Sequence, residues 1–108
     1  MKIYSTYVNT KLTVYLSGEL DHHAARGTMD KIDRLMDEYL PRDCVLNLAG
    51  LTFMDSSGIA LILRVFKRLK ETGGRASVEN PSQQAQRVID ASGIYRLINI
   101  VTTAAKEV

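Results

Sequence analysis

The sequence predicts an α/β domain. Its core is a mixed, mostly parallel sheet of about five strands flanked by helices, in the order ββαβαβαβ. Three observations carry this. Two alternating runs lie close together near the N-terminus, as in a hairpin. Short aliphatic runs then alternate with stretches of helical period. Pro41, Gly73, Asn80-Pro81 and Ser92-Gly93 punctuate the boundaries between them.

Residues 3–8 read as the first strand, and Asn9-Thr10-Lys11 as a turn, because Asn tolerates left-handed backbone angles. Leu12, Val14 and Leu16 then alternate with Thr13, Tyr15 and Ser17, the period of a half-buried strand. Gly18-Glu19-Leu20-Asp21-His22-His23 breaks that alternation: Gly18 permits a bend and Asp21 can cap a helix. Ala25, Met29, Ile32, Met36 and Tyr39 fall on one helical face, with charges opposite and Pro41 as the stop. Residues 44–48 suit a buried central strand, and Ala49-Gly50-Leu51-Thr52 reads as a connection.

A second helix is predicted over 57–70, with its first turns deeply buried because residues 59–63 are nearly all apolar. Val65, Phe66 and Leu69 should face inward, and Arg64, Lys67, Arg68 and Lys70 water. Residues 75–79 form a fourth strand. Asn80 as cap and Pro81 at the first helical position open a third helix, with Ala85, Val88 and Ile89 facing inward. Residues 98–101 make the fifth strand. Thr102 or Thr103 could cap a last helix, but barely one turn of chain follows, so the C-terminal helix is expected to be short or missing.

Composition bounds function. The 108 residues, 45% hydrophobic and 24% charged, suit one globular domain spanning 1–108. The single cysteine, Cys44, rules out an internal disulfide framework. No apolar run approaches the ~18 residues of a membrane span, and the N-terminus lacks a signal peptide's apolar region, so a cytoplasmic protein is expected. A net charge of +2 is too small to imply direct nucleic-acid binding. The basic face of the second helix has no interleaved aromatics to stack on bases, and its sign suits a helix C-terminal half.

Phe53-Met54-Asp55-Ser56-Ser57-Gly58 is the focal stretch. It ends a strand and places Asp and Ser oxygens where the first helical N–H groups lack partners. The helix dipole favours an anion there, and Gly58 allows close approach. One of the two serines could be a regulated phosphate acceptor; a well-capped helix alone would also explain the pattern. Ser56 could be a hydrolase nucleophile with His22 or His23 as base, but Met54 occupies the place of the first glycine in a nucleophile elbow, and no third member is evident. His22 and His23 are adjacent and diverge, so no metal site is expected. Gly73-Gly74 is too little for a phosphate-cradling loop, so no cofactor is expected and any nucleotide should belong to a partner. Because ligand sites gather where parallel strands end, the segment around Asp21 and that around Asp55 could share one rim.

Gly18 to His23, Val45-Leu46-Asn47-Leu48 and Phe53 to Ile59, with residues 67–74 and Asp90-Ala91-Ser92-Gly93-Ile94, together resemble the STAS domain of bacterial anti-sigma-factor antagonists. Within that family the resemblance is to the sporulation antagonists of the forespore anti-sigma factor. It implies a STAS-like fold and a regulatory protein that is not an enzyme. The unphosphorylated form would bind an anti-sigma factor that is also a serine kinase, releasing the sigma factor. That kinase would use ATP to phosphorylate Ser56, and a serine phosphatase would restore the active form. Glu19, Asp21, His22, His23, Asp55, Ser56, Ser57 and Gly58 would form the partner-binding surface of a monomer. A stress-response sigma-factor pathway with a different kinase is the alternative use of the same domain.

Overall fold

The computed structural model describes residues 1–103. Two strands, β1 (Lys2–Val8) and β2 (Lys11–Leu20), form the antiparallel hairpin. Its turn places both Asn9 and Thr10 in the left-handed region, at φ of 50° and 64°. Helix α1 (His22–Tyr39), β3 (Asp43–Met54), α2 (Ser56–Glu71), β4 (Arg75–Glu79), α3 (Gln83–Ser92) and β5 (Asn99–Val101) follow, with a 3-10 turn at Ile94–Arg96 before the last strand. The sheet order is β1-β2-β3-β4-β5, and every pair after the hairpin is parallel. Successive right-handed crossovers in one direction put all three helices on the same face. There Leu12, Val14 and Leu16 of β2, Cys44, Leu46 and Leu48 of β3 and Val78 of β4 meet Ile32, Ile62, Val65 and Ile89 in one core. Burial pushes the Cys44 thiol up to about 12, so it stays neutral as a core side chain.

Several boundaries differ from the sequence reading. Gly18 does not end β2. At φ 112° it bends a strand that continues to Leu20. The stretch 49–52 is not a connection either, since β3 runs through it to Met54. Against nine steps along β2, from Lys11 to Leu20, β3 takes eleven, from Asp43 to Met54. The two extra residues make register shifts that break the period of two. Asn47 sits at the first shift: its side-chain oxygen accepts the N–H of Ala49 at 3.1 Å, and its amide reaches Glu79 at 3.4 Å. This is how a buried polar residue is accommodated in a central strand.

The third helix is capped by Ser82, whose hydroxyl accepts from the N–H of Ala85, and not by Asn80. Asn80 adopts φ 50° and turns to the end of β5, with its N–H on the carbonyl of Val101 at 2.7 Å and its side chain on Thr103. In α2, Ala60 is exposed, so the first turns are only partly buried. Arg64 and Arg68 do not simply face water. Arg64 pairs with Asp33 at 3.2 Å, and the half-buried Arg68 bridges Asp33, at 2.9 Å, and Asp37 of α1. The bond to Asp37 and then that to Asp33 hold the Arg68 guanidinium above its ordinary value. The last helix considered after Thr102 or Thr103 lies outside the described residues.

Two glycines should respond oppositely to alanine. A Cβ at Gly74 would lie 2.4 Å from the carbonyl oxygen of Arg42, whereas at Gly27, inside α1, it meets nothing within 4 Å. Urea unfolding of Gly74→Ala should show a loss of about 1–3 kcal/mol. Gly27→Ala should gain about 0.5–1 kcal/mol from helix propensity.

Candidate docking and phosphoacceptor site

Parallel neighbours β2 and β3 end side by side, with Leu20 opposite Met54. Each is followed at once by an aspartate cap and a helix. The Asp21 carboxylate accepts the N–H groups of His23 and Ala24, both at 3.0 Å. The Asp55 carboxylate accepts that of Ser57 at 2.8 Å. The two junctions are tied together by the Asp55 N–H, which reaches the Leu20 carbonyl at 3.4 Å. The sequence thus folds two N-terminal helix ends, each with its partial positive charge, onto one rim. Hydrogen bonding, led by the Ala24 N–H, holds the Asp21 carboxyl below its ordinary value, with His23 helping.

The eight residues expected at the site do come together. Glu19 is exposed near the end of β2, and His22 and His23 are exposed in the first turn of α1. His23 lies 4.0 Å from the Asp21 carboxylate. Ser56 is the first residue of α2 and is exposed. Ser57 is half-buried and lines a shallow groove of about 360 Å³ between α1 and α2, with Ala25, Arg26, Met29, Ala60, Leu61 and Arg64. Gly58 acts from beneath. It is buried, and a Cβ there would sit 2.3 Å from Met54 Cγ and 3.3 Å from Leu20 Cδ2. The close approach it allows is that of α2 onto its own strands.

Among the described residues, no hydrogen bond joins the Ser56 or Ser57 hydroxyl to either imidazole, and no cluster of three or more His, Cys, Asp or Glu side chains could hold a metal ion. No described helix is long and apolar enough to cross a membrane.

Sequence reasoning missed one residue. Gln84 of α3 spans the backbone of Met54: its Oε1 accepts the Met54 N–H at 2.7 Å, and its Nε2 donates to the Met54 carbonyl at 2.9 Å. A contact thirty residues away leaves no local signal.

This geometry matches a known family. The STAS domain model fits residues 3–107. The chain belongs to the STAS domain family. A relative described as an anti-sigma F factor antagonist, from Paenibacillus polymyxa, is 41% identical over 93 residues, covering 82% of this chain and 76% of its own. The anti-sigma factor antagonist SpoIIAA in its unphosphorylated form superposes with a TM-score of 0.81 at 28% identity, over 97% of this chain and 90% of its own. The Bacillus cell fate determinant SpoIIAA in its phosphorylated form gives 0.73 at 28% identity, over 97% and 94%. The STAS fold and the membership read from the sequence are thereby borne out.

Two measurements probe how the rim is built. Gly58→Ala should cost about 1–3 kcal/mol in urea unfolding, because Met54 must move. The depressed Asp21 carboxyl stabilises the fold above its ordinary value of 3.8, and that stabilisation is lost as pH falls through the lower folded-state value. The melting temperature of wild type should therefore exceed that of Asp21→Asn near neutral pH, and the gap should narrow progressively as pH falls below 3.8.

Proposed function

We infer that this STAS protein is an anti-sigma-factor antagonist whose docking surface is the rim formed by Glu19, Asp21, His22, His23, Asp55, Ser56 and Ser57, seated on Gly58. Its partner is an anti-sigma factor that is also a serine kinase, and Ser56 is the residue the kinase modifies. The observation that carries this reading is the exposed Ser56 hydroxyl at the first position of α2, beside a second capped helix start. Ser57, half-buried in the groove, is the less accessible hydroxyl. The SpoIIAA structures, unphosphorylated and phosphorylated, support a phosphorylation switch on this fold.

The chemistry follows from the position. The γ-phosphoryl group of ATP passes to Ser56 Oγ, the hydroxyl proton leaves, and ADP is released by the kinase. The product adds about −1.5 to −2 charges. The N-terminus of α2 tolerates an anion, so the free protein stays folded. An interface closed over Ser56 does not, because Asp55, Asp21 and Glu19 already lie beside it. The flanking Arg64 is engaged by Asp33. Burying an unpaired charge costs several kcal/mol, and about 1.4 kcal/mol is tenfold in affinity. A serine phosphatase would restore binding, and the cycle would run in the cytoplasm.

The test is intact mass after incubation with the purified anti-sigma F factor of Paenibacillus polymyxa and ATP. Wild type should gain one phosphate and Ser56→Ala none. A phosphate on Ser56→Ala would move the acceptor to another hydroxyl, Ser57 first. Ser56→Asp should bind at least about tenfold more weakly than wild type with unchanged circular dichroism.

A further inference from the structure

Strand β3 outruns its neighbour. β4 pairs with it only as far as Asn47, opposite Glu79, while β3 continues to Met54. Backbone polar groups on the far side of this extension need partners other than a strand. The start of α3 supplies them. The Ser82 N–H donates to the Leu48 carbonyl at 3.2 Å. Gln84 then offers one acceptor and one donor to the N–H and carbonyl of the same residue, Met54. A side-chain amide carries the same pair of groups as a backbone amide, so Gln84 stands in for the missing strand. Met54 is followed directly by Asp55, the cap of α2, and by Ser56. Apart from the Asp55 carboxylate itself, Gln84 is the one side chain among the described residues that hydrogen-bonds to this junction.

We propose that Gln84 is a positioning residue for the phosphoacceptor: its amide fixes the backbone from which Asp55 and Ser56 project, and so couples the start of α3 to the presentation of Ser56. The functional half of this rests on the reading of Ser56 as acceptor; the structural half does not. Loss of Gln84 frees one edge of the junction, leaving it held by β2 alone through Leu20.

The experiment compares wild type, Gln84→Leu and Gln83→Leu, with Gln84→Ala carried alongside because it adds no apolar bulk. Gln83 is exposed on the same helix and serves as control. Amide hydrogen exchange is read by NMR on the full chain. Removing two hydrogen bonds should speed exchange at Met54, Asp55 and Ser57 by about tenfold or more in both Gln84 variants. Leu46 and Val78, in the strand core, should keep wild-type rates, and Gln83→Leu should move none. Wild-type rates at Asp55 and Ser57 would overturn the proposal. So would an acceleration shared equally by Leu46 and Val78, which would make Gln84 a general stabiliser. In the second arm, the Paenibacillus polymyxa anti-sigma F factor and ATP are supplied, and initial phosphorylation of Ser56 should be several-fold slower in Gln84→Leu than in Gln83→Leu. Equal rates would refute the functional half. No transfer to wild type, from a kinase preparation that phosphorylates the Paenibacillus polymyxa antagonist, would instead count against the reading of Ser56 as acceptor, and the exchange arm would still decide whether Gln84 positions the junction.

Discussion

A twelve-residue strand beside a five-residue one is the constraint on which the rim depends. Past Asn47, β3 has β2 on one side and no strand on the other. Where an open edge of this kind is buried it needs other partners, since its backbone groups lose water there. The two register shifts against β2 fall in this same extension. They add local twist and aim the strand end, and Asn47 satisfies the N–H that the first shift releases. Coverage comes from the start of α3, through Ser82 and Gln84. The end of the sheet that carries the candidate site is therefore a two-stranded extension held by a helix that lies much later in the chain.

The two helices that leave this rim are also held to each other. Asp33 on α1 receives both Arg64 and Arg68 from α2, and Arg68 reaches on to Asp37. Surface pairs of this kind, of which Arg68–Asp33 is half-buried, contribute little to global stability, about 0–1 kcal/mol each. Their effect is directional. Sharing Asp33 contributes to the register of α1 against α2, beside their apolar packing. Basic side chains that looked like a solvated face are, for Arg64 and Arg68, one means of that registration.

Much of this was legible because its signals are local. The alternation of Leu12, Val14 and Leu16 gave β2, Asp21 was recognisable as a cap, and residues 75–79 gave β4 without adjustment. The rim itself could be anticipated, since sequential parallel strands must end together. What escaped reading was non-local. Gly50 and Thr52 looked like a connection because two inserted residues destroy the period of a strand. Asn80-Pro81 has the composition of a helix start, yet Asn80 is drawn to β5 and Thr103 and the cap falls to Ser82. Gln84 is an unremarkable glutamine on a polar helix face until the fold carries it to Met54.

A docking rim of this type must meet two demands that pull apart. It must be rigid, because a partner that recognises it should not have to order it first. It must also accept a new charge without coming undone. The hydrogen bonds from Leu20, Asp55 and Gln84 answer the first demand from inside the rim, where Gly58 and Met54 are buried. The exposure of Ser56 and the positive ends of two helices answer the second from outside. On the proposed reading the charge is therefore felt where the partner closes over it, and hardly at all by the fold beneath. On that same reading the switch would work by making one surface unacceptable to a partner, and the framework that presents that surface would stay as it was.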